Sequence, residues 1–337
     1  MKKKTRHINI PIFIPHMGCP HACVFCNQKK ISGTLSTQSP VRVKKLLEES
    51  FSTTAKNDDI EIAFFGGSFT GIPEDEMTAY LELAQPYLKT GKASGIRLST
   101  RPDTITQHKL KILKSYGVTV IELGVQSLDP EVLLMSQRGH TVEDVVSACS
   151  LIHEAGIRLG IQTMLGLPAD TYEKAVKTAQ DVIGLKPEMV RIYPALVIKD
   201  TQLEEYYSTG RYTPLSLEEA IEWCAGILPL YREAGITVLR IGLQDSDTLE
   251  GSVVAGPYHP AFGELVESRI LYGKLTHCLD QHLGNQKRII IRTRPQLLSK
   301  LVGQKRTNIE AIKEKYRVNE VIVKGDLEDG EFVIEAE

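Results

Sequence analysis

The chain has 337 residues, 42% of them apolar, enough for one large α/β domain with appendages, and its formal net charge of −2 directs it to neither nucleic acid nor a membrane surface. It contains no run of 18 apolar residues, which excludes a membrane-spanning helix of ordinary length, and the basic start MKKKTRH leads into INIPIFIPHMG, broken by two prolines, where a secretory leader needs an uninterrupted apolar stretch. The expected setting is the cytoplasm, a reducing compartment, so three of the six cysteines crowded into residues 19–26 point to metal or catalysis rather than to disulfides.

Taken in chain order, a strand-like run at 8–14 enters the cysteine loop. A helix at 41–55, a strand at 60–65 and a glycine-rich loop at 66–71 follow. Next come a helix at 74–88, a strand at 96–100 ending in the loop 101–103, a helix at 106–115, and a strand at 118–125 ending at Gln126 and Ser127. Thr141 with Asp144 three residues on is a capping signal for a helix at 142–155, before a strand at 157–165 and a helix at 172–183. A strand at 189–193, a helix at 217–234 opened by Ser216 and Glu219, and a strand at 236–241 complete the series. Repeated βα units imply a parallel sheet: a full or partial (β/α) barrel over residues 1–250, with a doubly wound sheet as the alternative. In a barrel, chemistry gathers in the loops after the strands, so these loops are expected to share one mouth. Residues 251–285 then read as a turn and a helix with no preceding strand. Residues 286–337 read as a small α+β module in the order strand, helix, loop, helix, strand, strand.

The cysteines have the spacing Cys19-x3-Cys23-x2-Cys26. Structural zinc wants four ligands, and His16 or His21 could supply the fourth. A [4Fe–4S] cluster also normally takes four thiolates, so three would leave one iron open. This spacing resembles the signature of the radical S-adenosylmethionine (radical SAM) superfamily. So does the order of FFGGSFTG, LSTRPD, IELGVQSLD, RGHTVEDV and GIQTMLGLP, as does Phe25 between the last two cysteines. The resemblance implies that the open iron of a [4Fe–4S] cluster takes the amino and carboxylate groups of S-adenosyl-L-methionine, whose reductive cleavage gives a 5′-deoxyadenosyl radical. GGSFTGIP, STRPD, ELGVQSLD and the later GPYHPAFGELVES are similar to the radical SAM half of the Elp3 family, which acts on the wobble uridine of tRNA. That likeness runs over about residues 8–280, with a weaker one to oxygen-independent coproporphyrinogen oxidase. Elp3 proteins also carry an acetyltransferase domain. The last 50 or so residues here are too few for one, so complete carboxymethyl transfer by this chain alone is not expected.

The resemblance implies roles for individual residues. Cys19, Cys23 and Cys26 are the cluster ligands, with Phe25 beside them. Gly66, Gly67 and Ser68 face the aminocarboxylate end of S-adenosylmethionine, where the absence of a side chain lets backbone approach a ligand. Glu122 lies within a strand; buried, it needs a partner, either the cofactor or an ion pair with Arg97 or Arg101. Arg101 suits a carboxylate, whether the cofactor's or that of Glu122. Gln126 and Gln162 suit ribose hydroxyls. Tyr193, Arg240 and Gln244 sit at later strand ends where substrate enters; Arg240 either meets a phosphate or closes the barrel with a salt bridge. Tyr258 and His259 either line the site or lock the following helix. Cys149, Cys224 and Cys278, isolated on helical stretches, are read as structural thiols.

Ten Lys and Arg fall between Lys287 and Arg317, opposed within that window only by Glu310 and Glu314. The run LLSKLVGQKRTNIEAI resembles the KH fold's helix, Gly-x-x-Gly loop and second helix, with Arg306 standing where the second glycine belongs. The resemblance implies that Lys305 and Arg306 meet an RNA backbone; the alternative is a solvated basic face on a capping or dimerisation module. The expectation is therefore a radical SAM enzyme that modifies a tRNA base. It would be served by an external flavodoxin- or ferredoxin-type reductant, and by a second copy or a separate partner enzyme. The alternatives are a radical SAM enzyme for a porphyrin-like or other small molecule, and a non-catalytic protein that binds a cluster or RNA.

Overall fold

The structure, a computed structural model, describes residues 6–14, 19, 21–27, 39–55, 58–243, 247–282 and 287–336. Seven parallel strands form one sheet in sequence order: β1 (His7–Phe13), β2 (Asp59–Phe65), β3 (Gly95–Thr100), β4 (Val118–Gln126), β5 (Arg158–Leu165), β6 (Met189–Pro194) and β8 (Thr237–Ile241). The sheet does not close, because β1 and β8 are its two edges; it is a partial barrel. All seven expected strands are present. Their helices are α1 (Pro40–Ser52), α2 (Glu74–Lys89), α3 (Gln107–Ser115), α5 (Val142–Glu154), α6 (Tyr172–Gly184) and α8 (Leu217–Glu233). Both expected capping boxes form, Thr141 with Asp144 and Ser216 with Glu219. Each satisfies two backbone N–H groups that a helix start leaves without partners.

Four pieces were not expected. A six-residue helix, α4 (Pro130–Met135), starts where the Asp129 side chain accepts from the Val132 N–H. Another short helix, α7 (Gln202–Ser208), follows β6. Finally, β7 (Val197–Ile198) pairs antiparallel with β9 (Val253–Ala255), so a strand does precede the GPYHP turn, contrary to the sequence reading. It was missed because a three-residue strand has no measurable periodicity. A four-residue helix, α9 (Asp247–Glu250), lies just before it.

The inner face of the sheet carries a chain of ion pairs. The guanidinium of Arg97 on β3 reaches Glu61 on β2 at 2.7 Å and Glu122 on β4 at 2.7 Å. Glu122 also accepts from Arg191 on β6 at 2.6 Å, although β5 lies between the two strands. Gly160 on β5 makes that crossing possible: a Cβ there would sit 3.0 Å from Glu122 Cγ and 3.1 Å from Met189 Cγ. Gly160→Val is therefore expected to destabilise the chain by about 1–3 kcal/mol, the usual effect of forcing methyl groups into a filled core. Urea unfolding checks this; an unchanged midpoint would show that the crossing tolerates a side chain.

The chain divides into two compact units, residues 1–220 with 227–258, and residues 221–226 with 259–337. In the second, α10 (Phe262–His282) contributes Leu275 and Leu279 to a core shared with Ile289 and Ile291 of β10 (Arg288–Thr293). Leu301 of α11 (Leu298–Val302), Ile309 and Ile312 of α12 (Thr307–Tyr316) and Val321 of β11 (Glu320–Lys324) complete that core. The strand β10 runs parallel to β11 and antiparallel to β12 (Phe332–Ala336), in the expected order of elements. Among the described residues no helix is long and apolar enough to cross a membrane.

Candidate active site

The cysteine loop is tied by its backbone to elements far along the chain. The Val24 N–H donates to the Ser136 carbonyl at 3.1 Å, the Val24 carbonyl accepts from the Leu203 N–H at 2.8 Å, and the Asn27 amide donates to the Lys199 carbonyl at 3.0 Å. A tight turn brings the Cys26 N–H to the Cys23 carbonyl at 3.1 Å. Val24 is fully buried with Val197, Leu203 and Tyr212, while half-buried Phe25 packs against both that cluster and Val132, Leu167 and Ala195. Val24 and Phe25 are thus fixed in core between Cys23 and Cys26, and that frame holds the thiols on either side.

The glycine-rich loop meets the same place. Gly66 has φ +100, a conformation other residues rarely adopt, and a Cβ there would lie 3.2 Å from the Ile14 carbonyl. Past it, the Ser68 N–H hydrogen-bonds the Cys19 thiol. The Ser68 hydroxyl pairs with Thr100 at 2.9 Å and accepts from the Arg101 N–H at 3.2 Å. Thr70 bonds to Thr100 at 2.6 Å and to Thr104 at 2.7 Å, so a buried set of hydroxyls fastens the loop to the end of β3.

Behind the thiols lie two buried cations. Arg138 donates from Nη1 to Cys23 Sγ at 3.3 Å and from Nη2 to the Gly124 carbonyl at 2.6 Å. Arg101 is 2% exposed, pairs with Asp103 at 2.9 Å, and donates to the Arg138 carbonyl at 2.6 Å. Even so, Arg101 Nη1, Arg138 Nε and His140 Nδ1 have no hydrogen-bond partner among the described residues. Buried donors are nearly always partnered, and two buried guanidiniums with donors left over mark a place prepared for an anionic, acceptor-rich group. Burial pushes the Cys19 thiol up, while the charges of Arg138 and Arg101 pull it the other way. A cluster of iron and sulfide with its thiolates, together with a carboxylate, fits that donor set. Among the described residues no three His, Cys, Asp or Glu side chains converge on one ion-sized point.

Gln126 closes β4 with φ 71 at an irregularity in the pairing of β4 with β5. A Cβ on Gly124 would lie 2.8 Å from Arg138 Nη2 and 2.9 Å from Gln126 Nε2, so both side chains fold over that glycine. Gln162 stands beside Gly124 on one side and Arg191 on the other. Arg240 is the register partner of Arg191, and Tyr193 lies close to both; burial raises its phenol while the two guanidiniums oppose that. Tyr258 packs with Leu196, Ile198 and Leu249, and His259 Nδ1 accepts the Ala261 N–H at 3.0 Å. His16 and Gln244 lie outside the described residues.

Both carboxylate oxygens of Glu122 are taken by Arg97 and Arg191, and the side chain is 1% exposed; of the partners weighed for it in sequence, the ion pair with Arg97 forms. Arg101 takes Asp103 as its carboxylate partner instead of Glu122. Sequence reasoning missed Arg138 and His140, which follow no strand. Gln137 and Gly139 both have positive φ, which curls the chain back toward the cysteine loop. His21 lies flat against Gly139, where a Cβ would come within 2.3 Å of its ring.

His140 donates from Nε2 to the Val125 carbonyl at 3.2 Å, and burial, followed by Arg138 and Arg101, holds its pKa down to about 3. It stays neutral in the folded chain while the unfolded chain protonates it near 6.5. Its contribution is therefore lost as pH falls from 6.5 toward 3, by about 1.4 kcal/mol per pH unit. The difference in stability between His140→Gln and the parent chain should shift in the variant's favour as pH falls from 6 to about 4, read from urea midpoints; a constant difference would refute the assignment.

In the second unit, several basic residues of the tail are neutralised by acids outside the window counted in sequence. Arg288 pairs with Glu320, Arg292 with Asp326 and Glu335, and Lys315 with Asp280. Lys305 and Arg306 carry no such pair among the described residues. They sit at consecutive positive φ values of 52 and 64. The turn thus keeps the left-handed backbone a second glycine would give, although arginine occupies it. Gly303 remains indispensable there, since a Cβ would fall 2.7 Å from Thr307 Oγ1 and 3.0 Å from the Asn308 nitrogen.

Compared with known proteins, residues 13–182 match the profile of the radical SAM superfamily and residues 187–271 that of a radical SAM C-terminal domain. An uncharacterized protein of Methanocaldococcus jannaschii is 33% identical over 233 residues, 65% of this chain and 70% of that one. A tRNA uridine(34) acetyltransferase of Methanocaldococcus infernus is 27% identical over 300 residues, 73% of this chain and 56% of its own length. Elongator complex protein 3 of Homo sapiens is 28% identical over 193 residues, 51% of this chain and 35% of its own length. The chain thus spans little more than half of the acetyltransferase. Among solved structures, the Elp3 of Methanocaldococcus infernus superposes with a TM-score of 0.64 at 22% identity, covering 81% of this chain and 64% of that one, a likeness of fold.

Proposed function

The chain belongs to the radical SAM superfamily of enzymes, and from that premise we propose that it holds a [4Fe–4S] cluster on Cys19, Cys23 and Cys26, binds S-adenosyl-L-methionine beside it, and modifies a base of tRNA. The observation that carries the reading is the pair of buried guanidiniums, Arg101 and Arg138, with donors left over directly behind the thiols and the glycine-rich loop. When bound, the cluster and cofactor supply a 5′-deoxyadenosyl radical by one-electron cleavage. The chain's own residues do the rest. Gly66 and Gly67 keep the loop free of side chains so that backbone can meet the cofactor's amino group. Arg138 and Arg101 offer charge and N–H donors to its carboxylate. Gln126 and Gln162 offer amides to its ribose. Tyr193 and Arg240 meet the incoming substrate at the ends of β6 and β8. The frame around Val24 and Phe25 fixes the loop that carries the thiols.

The tRNA substrate is supported by the relatives named as tRNA uridine(34) acetyltransferases. It is also supported by Lys305 and Arg306 on a KH-like turn, which carry no ion pair among the described residues and suit a phosphate backbone. An external flavodoxin- or ferredoxin-type protein supplies the electron. The test is anaerobic: reconstitute, reduce, add S-adenosylmethionine, and quantify 5′-deoxyadenosine with and without bulk tRNA. A rise with tRNA is the expected result. Deoxyadenosine that ignores tRNA would move the substrate to a small molecule, and none at all would leave a non-catalytic binding protein.

A further inference from the structure

We infer that Arg138 sets the reduction potential of the cluster by hydrogen-bonding the ligand Cys23, and that Arg101 with Asp103 is the clamp that holds it in place. The inference rests on the cluster proposed above. Arg138 is fixed at three points. Nη1 meets Cys23 Sγ at 3.3 Å, Nη2 meets the Gly124 carbonyl at 2.6 Å, and its own carbonyl is held by Arg101 Nη2 at 2.6 Å. Arg101 in turn is pinned by Asp103 through two contacts of 2.9 and 3.3 Å. A guanidinium held at a fixed distance from one ligand sulfur does what hydrogen bonds to cluster sulfurs do generally: it stabilises the more negative, reduced state. Burial makes the effect larger, since Arg138 is 7% and Arg101 2% exposed and little solvent screens them. The role is separate from meeting a cofactor carboxylate, which falls to donors that the Cys23 contact leaves over, such as Arg138 Nε and Arg101 Nη1.

Gly124 provides a way to move the guanidinium without removing its charge. A Cβ there would lie 2.8 Å from Arg138 Nη2 and 2.9 Å from Gln126 Nε2, both far ends of flexible side chains, so Gly124→Ala displaces Arg138 without a clash against backbone. The experiment is an EPR-monitored redox titration of the reconstituted full-length chain in the absence of S-adenosylmethionine, alongside iron and sulfide content and thermal melting. Arg138→Met is expected to make cluster reduction about tenfold less favourable, a midpoint about 59 mV more negative for a one-electron couple. Gly124→Ala and Arg138→Lys should move it the same way by less, with melting close to the parent's. If Arg138→Met fails to load the cluster, the other two variants decide. A potential unmoved in Gly124→Ala and Arg138→Lys, or in Arg138→Met where it loads, overturns the inference even if cofactor affinity drops. A parent chain that takes up no [4Fe–4S] cluster sinks the functional reading, and this inference with it.

Discussion

Changed to alanine one at a time, Cys19, Cys23 and Cys26 are each expected to abolish 5′-deoxyadenosine release, a loss of at least about a thousandfold, or about 4 kcal/mol in barrier terms. The fold should survive. Cys19 and Cys26 are only partly buried, so their truncation stays within the usual range of about 1 kcal/mol or less. Cys23 is buried and accepts from Arg138, so its loss leaves one more guanidinium donor without a partner, at about 1–3 kcal/mol. Activity and stability are thereby uncoupled: the loop is held by Val24, Phe25 and backbone contacts from Ser136, Lys199 and Leu203, none of which needs a thiol. Anaerobic turnover and iron content, measured beside urea unfolding, check this. A variant that keeps parental turnover would remove that cysteine from the ligand set.

How much of this was legible in the sequence depended on how local each feature is. The seven strands announce themselves as short apolar runs set between helix-like stretches, and Thr141 and Ser216 cap as their spacing requires. The cysteine spacing is local too. Arg138 was not legible, because it reaches Cys23 across 115 positions through a six-residue helix too short to show periodicity. Arg97 was named as a partner of Glu122, but its second partner, Arg191, was not legible, for another reason. Alternation tells which face a residue takes, but not that a glycine on the next strand will let its carboxylate reach a strand further. In the tail, a count of charges along the chain missed Glu335, which strand pairing brings beside Arg292 at 2.8 Å.

The ion pairs of the inner face make the strongest prediction about stability. Arg97 is 3% exposed and links two carboxylates, Glu61 at 2% and Glu122 at 1%. Arg97→Met keeps much of the side chain's volume but withdraws the charge from between them, and should destabilise by about 3–5 kcal/mol, as expected when one partner of a buried pair is lost. Glu61 keeps Arg158 at 2.8 Å and Glu122 keeps Arg191, so the effect should fall toward the lower end. Burial alone would raise the Glu122 carboxyl, but Arg191 and then Arg97 outweigh it and hold it below its ordinary value of 4.5. Its stabilising contribution is therefore full above 4.5 and lost as pH falls through the depressed folded value, so the parent and Arg97→Met should converge in acid. A buried charge chain is costly to break and seldom costly to replace whole. Arg97→Met combined with Glu122→Leu and Arg191→Met should consequently recover most of what Arg97→Met alone loses. If the triple variant is instead the least stable in urea, these residues stabilise the sheet as a net attraction, beyond mutual compensation of buried charge.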